Sequence, residues 1–381
     1  MRGLAQTNRQ RIDKSYHRKT QPMNTHTFDL ATSLARFDAW WHGEIIDRPP
    51  VRLYIEPSRP QQPMPPDASA GDGWMDPSRA VAAGLAGLAE TDWLADSAPV
   101  YMPNLGPDIA GTLFGCELEF GPATSWSSHP IDSDDDYARI AESQPDFSNP
   151  YWQAIEEMTR LSLARSCEGH LTGMTDIHGS IDTLVSLRGP GELCCDLMDI
   201  PELVHRALDR LVEGNRAIFN RSRELLLAGG QDVSTSWTTC LHRGPAYVSS
   251  ADFLALISPE MAQEFVRPYL RREWDMLERS VFHLDGREAL RHLDWLLEED
   301  CIQAIQWVYG AGGGRACDWL DVYRKIRAAG KSIHLIAVDA DDALHALREL
   351  GPQGLWIEIQ MSRFPSVQAA EAFMENLQRI L

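Results

Sequence analysis

The sequence predicts an α/β fold, a single (β/α)8 barrel spanning residues 28–381, and three observations carry that prediction. Strand-like and helix-like patterns alternate eight times after Asp47-Arg48-Pro49-Pro50. Each strand candidate is short, rich in β-branched or aromatic residues, and bounded by Gly, Pro or polar clusters. Strict alternation of this kind implies a parallel sheet, and eight repeats favour closure over an open sheet. In addition, no Gly-x-Gly-x-x-Gly follows an early strand, so the signature of a dinucleotide-binding sheet is missing.

The strand candidates are residues 51–56, 100–104, 171–178, 233–237, 281–285, 302–308, 333–339 and 355–360. Helical patterns cover 201–227, 259–279, 288–299, 319–329, 340–350 and 367–381. Ser258 supplies an N-cap and Pro259 the first helical position of one of them. The last helix follows Ser366 and carries Val367, Ala370, Phe373, Leu377 and Leu381 on one stripe. Two segments break the repeat. Residues 57–73 are rich in Pro, Gly and Asp and read as a loop. Residues 112–131 read as a β-hairpin inserted after the second strand, with Trp126 near its end. It would lie over the barrel mouth as a lid or as a plain structural flap.

Composition narrows the function. A chain of 381 residues with 44% hydrophobic content can bury a large core. A formal net charge of -20 repels phosphate backbones, which argues against a nucleic-acid partner. No apolar run approaches the ~20 residues that span a bilayer, so no membrane role is expected. The seven cysteines are unpatterned, with Cys194 and Cys195 adjacent, and this suits a reducing, cytoplasmic compartment. Residues 1–27 carry Arg2, Arg9, Arg11, Lys14, Arg18 and Lys19 against one acid, Asp13. They have no apolar stretch, and a disordered basic tail is expected, with Met1 or Met23 as the natural start.

Alternation along the strands then selects the inward side chains. On 171–178, Asp176 and His178 share a face; on 281–285, His283 and Asp285 do. On 355–360, Leu355, Ile357 and Ile359 suit the helix side, leaving Trp356, Glu358 and Gln360 to point inward. The acid–imidazole pairs lie at C-terminal strand ends, where barrels of this kind place their chemistry. Buried charges need partners or a cation. His, Asp and Glu suit a divalent metal, and equally general acid–base work. Trp237, His242, Arg243 and Tyr247 follow the fourth strand, and Gln306 lies on the sixth. With Trp126, the residues Trp237, Arg243, Tyr247 and Gln306 are candidates for contact with a small-molecule substrate, although packing is the commoner role of aromatics. The run Gly310-Ala311-Gly312-Gly313-Gly314 suits a flexible loop or a cradle for an anion.

Ordered landmarks along the chain bring a known family into view. They are Asp47-Arg48-Pro49-Pro50-Val51, Leu118-Glu119-Phe120, Leu187-Arg188-Gly189 with Asp199-Ile200-Pro201-Glu202, Ile257-Ser258-Pro259-Glu260, and His283-Leu284-Asp285-Gly286. In order and spacing the chain resembles the uroporphyrinogen decarboxylase superfamily from about Asp47 to its C-terminus. That superfamily is built on a (β/α)8 barrel and includes the decarboxylase and the cobalamin-dependent methyltransferases. The decarboxylase grips its acidic tetrapyrrole with an Arg-Gln-Ala-Gly-Arg segment after its first strand. Here the stretch reads Tyr54-Ile55-Glu56-Pro57-Ser58-Arg59, which offers one arginine and a repelling acid.

The resemblance therefore implies methyl or other one-carbon transfer, to or from a small molecule or a corrinoid. Any corrinoid would come on a separate protein, because no Asp-x-His-x-x-Gly motif for holding one is fused to the chain. The methyltransferases hold zinc with a His-x-Cys on strand five and a Cys on strand eight. By that likeness His283 and Asp285 are metal ligands, with Glu358 or Gln360 completing the shell, and the metal is zinc, although this harder ligand set would also accept manganese or iron. Asp176 and His178 are the matching acid–base or orienting pair. The alternatives are a decarboxylase that protonates a carbanion-like carbon through Asp176 or His178, a glycosidase using Asp285 and Glu358, and a non-catalytic ligand-binding paralogue. The tail makes the first test: deleting residues 1–22 is expected to leave the melting temperature nearly unchanged, and a large fall would show that the segment docks on the fold.

Overall fold

The computed structural model describes residues 28–55, 73–360 and 362–381. The basic tail, Glu56, Arg59 and all of the expected loop except Gly73 lie outside these residues. The described chain opens on a helix, Leu30–Trp41, capped by Asp29, whose side chain accepts from the N–H groups of Ala31 and Thr32. Its strands are β1 (Val51–Arg52), β2 (Val100–Tyr101), β3 (Leu118–Phe120), β4 (Ser125–Ser127), β5 (Leu171–Thr172) and β6 (Val233–Ser234). There follow β7 (His242–Arg243), β8 (Ala246–Ser250), β9 (Arg279–Asp285), β10 (Ala304–Val308), β11 (Ser332–Ala337) and β12 (Leu355–Ile359). Six of them form a parallel sheet in the order β1-β12-β11-β10-β9-β8. Strands β2 and β5 make a second parallel pair, while β3–β4 and β6–β7 are antiparallel. The architecture is mixed α/β with a mostly parallel sheet.

The expected fourth strand differs from the structure. Of 233–237, only Val233 and Ser234 form a strand, and they pair antiparallel with β7. The parallel neighbour of β9 is instead β8, Ala246–Ser250. This strand is buried throughout and carries Ala, Tyr, Val and two Ser, so it shows none of the polar–apolar alternation that marks a half-exposed strand. The helix expected at 259–279 also divides, into Pro259–Phe265 and Arg267–Trp274. Pro268 lacks the N–H that would continue the first helix, and the break falls at Val266.

Alternation sorts the sheet's side chains between two apolar clusters. Phe282, Leu284, Ile305, Trp307, Ile333, Leu335, Leu355, Ile357 and Ile359 join the large cluster that includes the helices Pro201–Ala228 and Val367–Ile380. Val248, Val281, Ala304 and Trp356 point to the other face, where they meet Phe37, Trp40 and Trp41 of the first helix. The indole of Trp40 is fully buried and lies edge-on to Trp356, with ring centroids 5.4 Å apart. Its Nε1–H donates to the carbonyl of Ile333 at 3.1 Å, and Trp41 Nε1–H donates to that of Leu241 at 3.1 Å. The helix thus seals the N-terminal end of the strands. Truncating Trp40 to Ala would remove an aromatic plug and strand a strand-end carbonyl. Equilibrium urea unfolding is expected to show a loss of about 3–5 kcal/mol, and a loss under about 1 kcal/mol would mean that the helix is not part of the folded core.

Candidate functional site

Above the Trp40–Trp356 layer the inner face turns polar. Register sets Gln306 of β10 beside His283 of β9 on one side and His334 of β11 on the other. It also sets Arg52 of β1 beside Glu358 of β12. Glu358 is 2% exposed, and both of its oxygens are engaged. Oε1 accepts from the Tyr54 hydroxyl at 2.9 Å and lies 3.3 Å from Arg52 Nη1. Oε2 is 2.9 Å from His334 Nε2, which donates to it. Burial alone would push the Glu358 carboxyl up; Arg52 and the bonds from His334 and Tyr54 outweigh it and hold the pKa at about 2. His334 is pulled below the ordinary histidine value, chiefly by burial, and its ring stacks on Trp356 at 3.5 Å. Arg52 reaches further, donating to the carbonyl of Thr238 at 3.1 Å.

A second polar group sits at the C-terminal ends of the strands. His178 Nε2 is 3.4 Å from Asp176 Oδ2, and its Nδ1 is 3.8 Å from Asp182 Oδ2. The Asp182 carboxylate is buried and accepts the backbone N–H groups of Asp252 and Phe253 at 2.8 and 3.0 Å, which fixes the turn after β8 against it. Burial pulls the His178 pKa down, but Asp176, Asp182 and Asp252 outweigh it and raise it to about 10. Asp182 is raised to about 6 by burial and by the charge of Asp252. Asp285 is also raised, by burial and again by Asp252, against the pull of His283. Asp252 therefore stands electrostatically between the two acid–imidazole pairs expected from the sequence. Asp176, Asp182, Asp252 and Asp285 outnumber the two imidazoles, and that surplus suits a cation.

The structure groups the candidates differently from the sequence expectation. Among the described residues, the set of three whose ligating atoms all lie within 4.8 Å of one another is His178, Asp182 and Asp252. His283, Asp285 and Glu358 do not form such a set. Glu358 is committed to Arg52, Tyr54 and His334, a neighbourhood that disfavours a cation, and Gln360 is exposed beyond the end of β12. One imidazole nitrogen with two carboxylate oxygens is a donor set that zinc, manganese or iron would accept, so the residues at His178 fit a divalent metal.

The remaining candidates separate. Trp237 lies edge-on to His283, with centroids 5.0 Å apart, and Gln306 accepts from His283 Nδ1. Tyr247 is buried; its hydroxyl donates to the Thr175 carbonyl at 2.8 Å and accepts from the Ile177 N–H at 2.7 Å, bracing the segment that carries Asp176 and His178. Arg243 is exposed on β7 and paired with Asp232. Trp126 is 56% exposed on β4, opposite Glu119 in the hairpin. In the glycine run, Gly310, Gly312 and Gly314 have positive φ, and Gly313 N–H donates to the Gly310 carbonyl, forming a tight turn.

Five side chains of the candidate site escaped the sequence reading, among them Asp182, which lies on the helix Ser180–Arg188 outside the expected helices. His334, Arg52 and Tyr54 were accessible to it, because alternation on residues 333–339 and 51–56 places them inward. Asp252 carried no signal, since it follows the strand that was not recognised.

No protein-family model matches the chain, and no curated protein sequence matches it. Among solved structures, a methyltransferase from Methanosarcina mazei matches over 91% of this chain and 98% of its own, with a TM-score of 0.59 and 14% identity. The two share a fold. A B12-independent methionine synthase from Shewanella sp. W3-18-1, in complex with selenomethionine, matches over 70% of this chain and 73% of its own at 11% identity, but its TM-score of 0.35 supports no comparison.

The buried network makes a pH prediction. Glu358 titrates at about 2 when folded and at about 4.3 when unfolded. Its pairing thus contributes stability fully above the unfolded value, and that stability is lost as pH falls through the folded one. Glu358→Ala leaves Arg52 without its carboxylate and is expected to cost about 3–5 kcal/mol near neutral pH. The difference from wild type should shrink as urea unfolding is repeated between about pH 4.5 and 2. A pH-independent difference would show that the charge is not what stabilises the fold.

Proposed function

We propose that this chain is a one-carbon transferase, moving a methyl or related group to or from a small molecule at the C-terminal ends of its strands. The observation that carries the reading is the acid–imidazole belt of Asp176, His178, Asp182, Asp252 and Asp285. The fold shared with a methyltransferase supports it. We read the two parallel sheets as one (β/α)8 barrel. Supporting bonds run from Asp96 N–H, ahead of β2, to the Val51 carbonyl of β1, and from the Tyr247 hydroxyl of β8 to the Thr175 carbonyl just beyond β5. The β3–β4 hairpin is then the insertion after the second strand.

His178, Asp182 and Asp252 would hold a divalent cation, zinc in the first instance, in place of the proton that His178 otherwise carries. Asp176 orients the His178 ring from the other nitrogen, as carboxylates commonly do for metal-bound imidazoles. When bound, such a cation supplies Lewis acidity that lowers the pKa of an acceptor group. His283 and Asp285 face the substrate as hydrogen-bonding and proton-handling groups, and Trp237 lines the same position. Glu358, with Arg52, Tyr54 and His334, forms the floor. A methylated corrinoid on a separate protein is the donor or acceptor that the family resemblance suggests.

Calorimetric titration with Zn²⁺ is the direct test. Wild type is expected to bind about one equivalent, Asp252→Asn and His178→Gln to weaken binding about 10-fold or more, and His283→Gln to retain it. Loss of binding in His283→Gln alone would move the cation to the His283–Asp285 pair. With zinc loaded, a methylated corrinoid and a panel of small thiols, amines and phenols should show transfer, read as loss of the cobalt–methyl absorbance. A protein that takes up no Zn²⁺, Mn²⁺ or Fe²⁺ and instead releases CO₂ from carboxylated substrates would replace this reading with decarboxylation, for which protonated His178 would be the proton donor.

A further inference from the structure

His283 is held more closely than a substrate-facing histidine requires. The amide oxygen of Gln306 meets His283 Nδ1, and Trp237 packs edge-on against the ring at 5.0 Å with an interplanar angle of 86°. Gln306 is itself fixed. It is 3% exposed, and ladder pairing on both sides places it between His283 and His334. A buried amide oxygen needs a donor, and the His283 ring supplies it here. A carbonyl oxygen accepts only, so the imidazole nitrogen it meets must carry the proton.

From this contact we infer that Gln306 is a positioning residue that locks neutral His283 in its Nδ1–H tautomer. Nε2 is then left as the lone-pair nitrogen, presented to a substrate proton or to a cation. Trp237 keeps the ring from rotating out of the arrangement. With the Gln306 amide oxygen toward the ring, a neutral imidazole in the other tautomer would place two acceptors, Nδ1 and that oxygen, against each other, at the cost of a buried hydrogen bond. The inference rests on His283 being a working group at the site, but the tautomer can be measured without reference to activity.

The experiment uses full-length protein labelled with ¹⁵N at histidine, at about pH 8 where ordinary imidazoles are neutral. Two-bond ¹⁵N–¹H spectra distinguish the tautomers, and the His283 signals are those lost in His283→Gln. Wild type is expected to show the Nδ1–H form. Gln306→Glu, whose carboxylate would favour the doubly protonated ring as Asp176 does for His178, should give the imidazolium pattern with Nδ1–H retained. Gln306→Leu, which removes the acceptor while keeping similar bulk, should shift His283 toward the Nε2–H form. Turnover in Gln306→Leu should fall about 10- to 100-fold. An Nε2–H tautomer in wild type overturns the inference, as does a Gln306→Leu spectrum identical to wild type in folded protein. If the tautomer follows these expectations while His283→Gln transfers one-carbon groups normally, the positioning holds and the functional role of His283 fails.

Discussion

Glu358 carries a full negative charge on the inner face of the protein, and much of the surrounding structure is arranged to tolerate it. An unpaired carboxylate at 2% exposure would either unfold its surroundings or take up a proton. It does neither, because β1 brings Arg52 and leads into Tyr54, and β11 brings His334. These partners come from both ends of the chain and meet at the pairing of β1 with β12. The charge thus ties the first strand to the last, and Arg52 extends the tie to the carbonyl of Thr238. Such a pair contributes less to net stability than to fixing which arrangement is stable, since a shifted register would leave both charges unpaired.

Charge balance distinguishes this floor from the belt at the strand ends. In the floor, Arg52 offsets Glu358 and His334 is neutral, so no net charge is left to attract an ion. In the belt, Asp182 and Asp285 are both raised because burial and Asp252 act on them together. A fold does not gain stability by crowding carboxylates, and such crowding is commoner where a ligand or catalyst makes use of it. Tyr247 braces the segment of Asp176 and His178, and the Asp182 carboxylate holds the turn at Asp252, both through backbone hydrogen bonds.

The reach of sequence reasoning followed periodicity. Strands β9 to β12 were legible because β-branched, leucine and aromatic residues recur along them, and the helices Pro201–Ala228 and Val367–Ile380 because one face of each meets the apolar core. The same alternation named His283, Asp285 and Glu358 as inward residues, and it would have named His334 and Arg52 had it been applied to their strands. It failed at β8, where an alanine and two serines replace the large apolar residues of the other strands. The loss of β8 hid Asp252, the residue that couples the two acid–imidazole pairs.

What the sequence determined by itself is the alternation of strands with helices and the identity of most polar side chains on the inner face, since both follow from local periods of two and 3.6 residues. Only the tertiary structure decided which of those side chains meet. Glu358 could be a metal ligand or half of a buried ion pair on sequence grounds. In the structure it is paired with Arg52, some 300 residues away in the chain and brought alongside by parallel pairing of the first and last strands. His178, Asp182 and Asp252 likewise converge through a turn whose position depends on β8 packing beside β9. Periodicity is a property of neighbours in sequence, whereas a binding site is a property of neighbours in space, and long-range strand pairing converts one into the other.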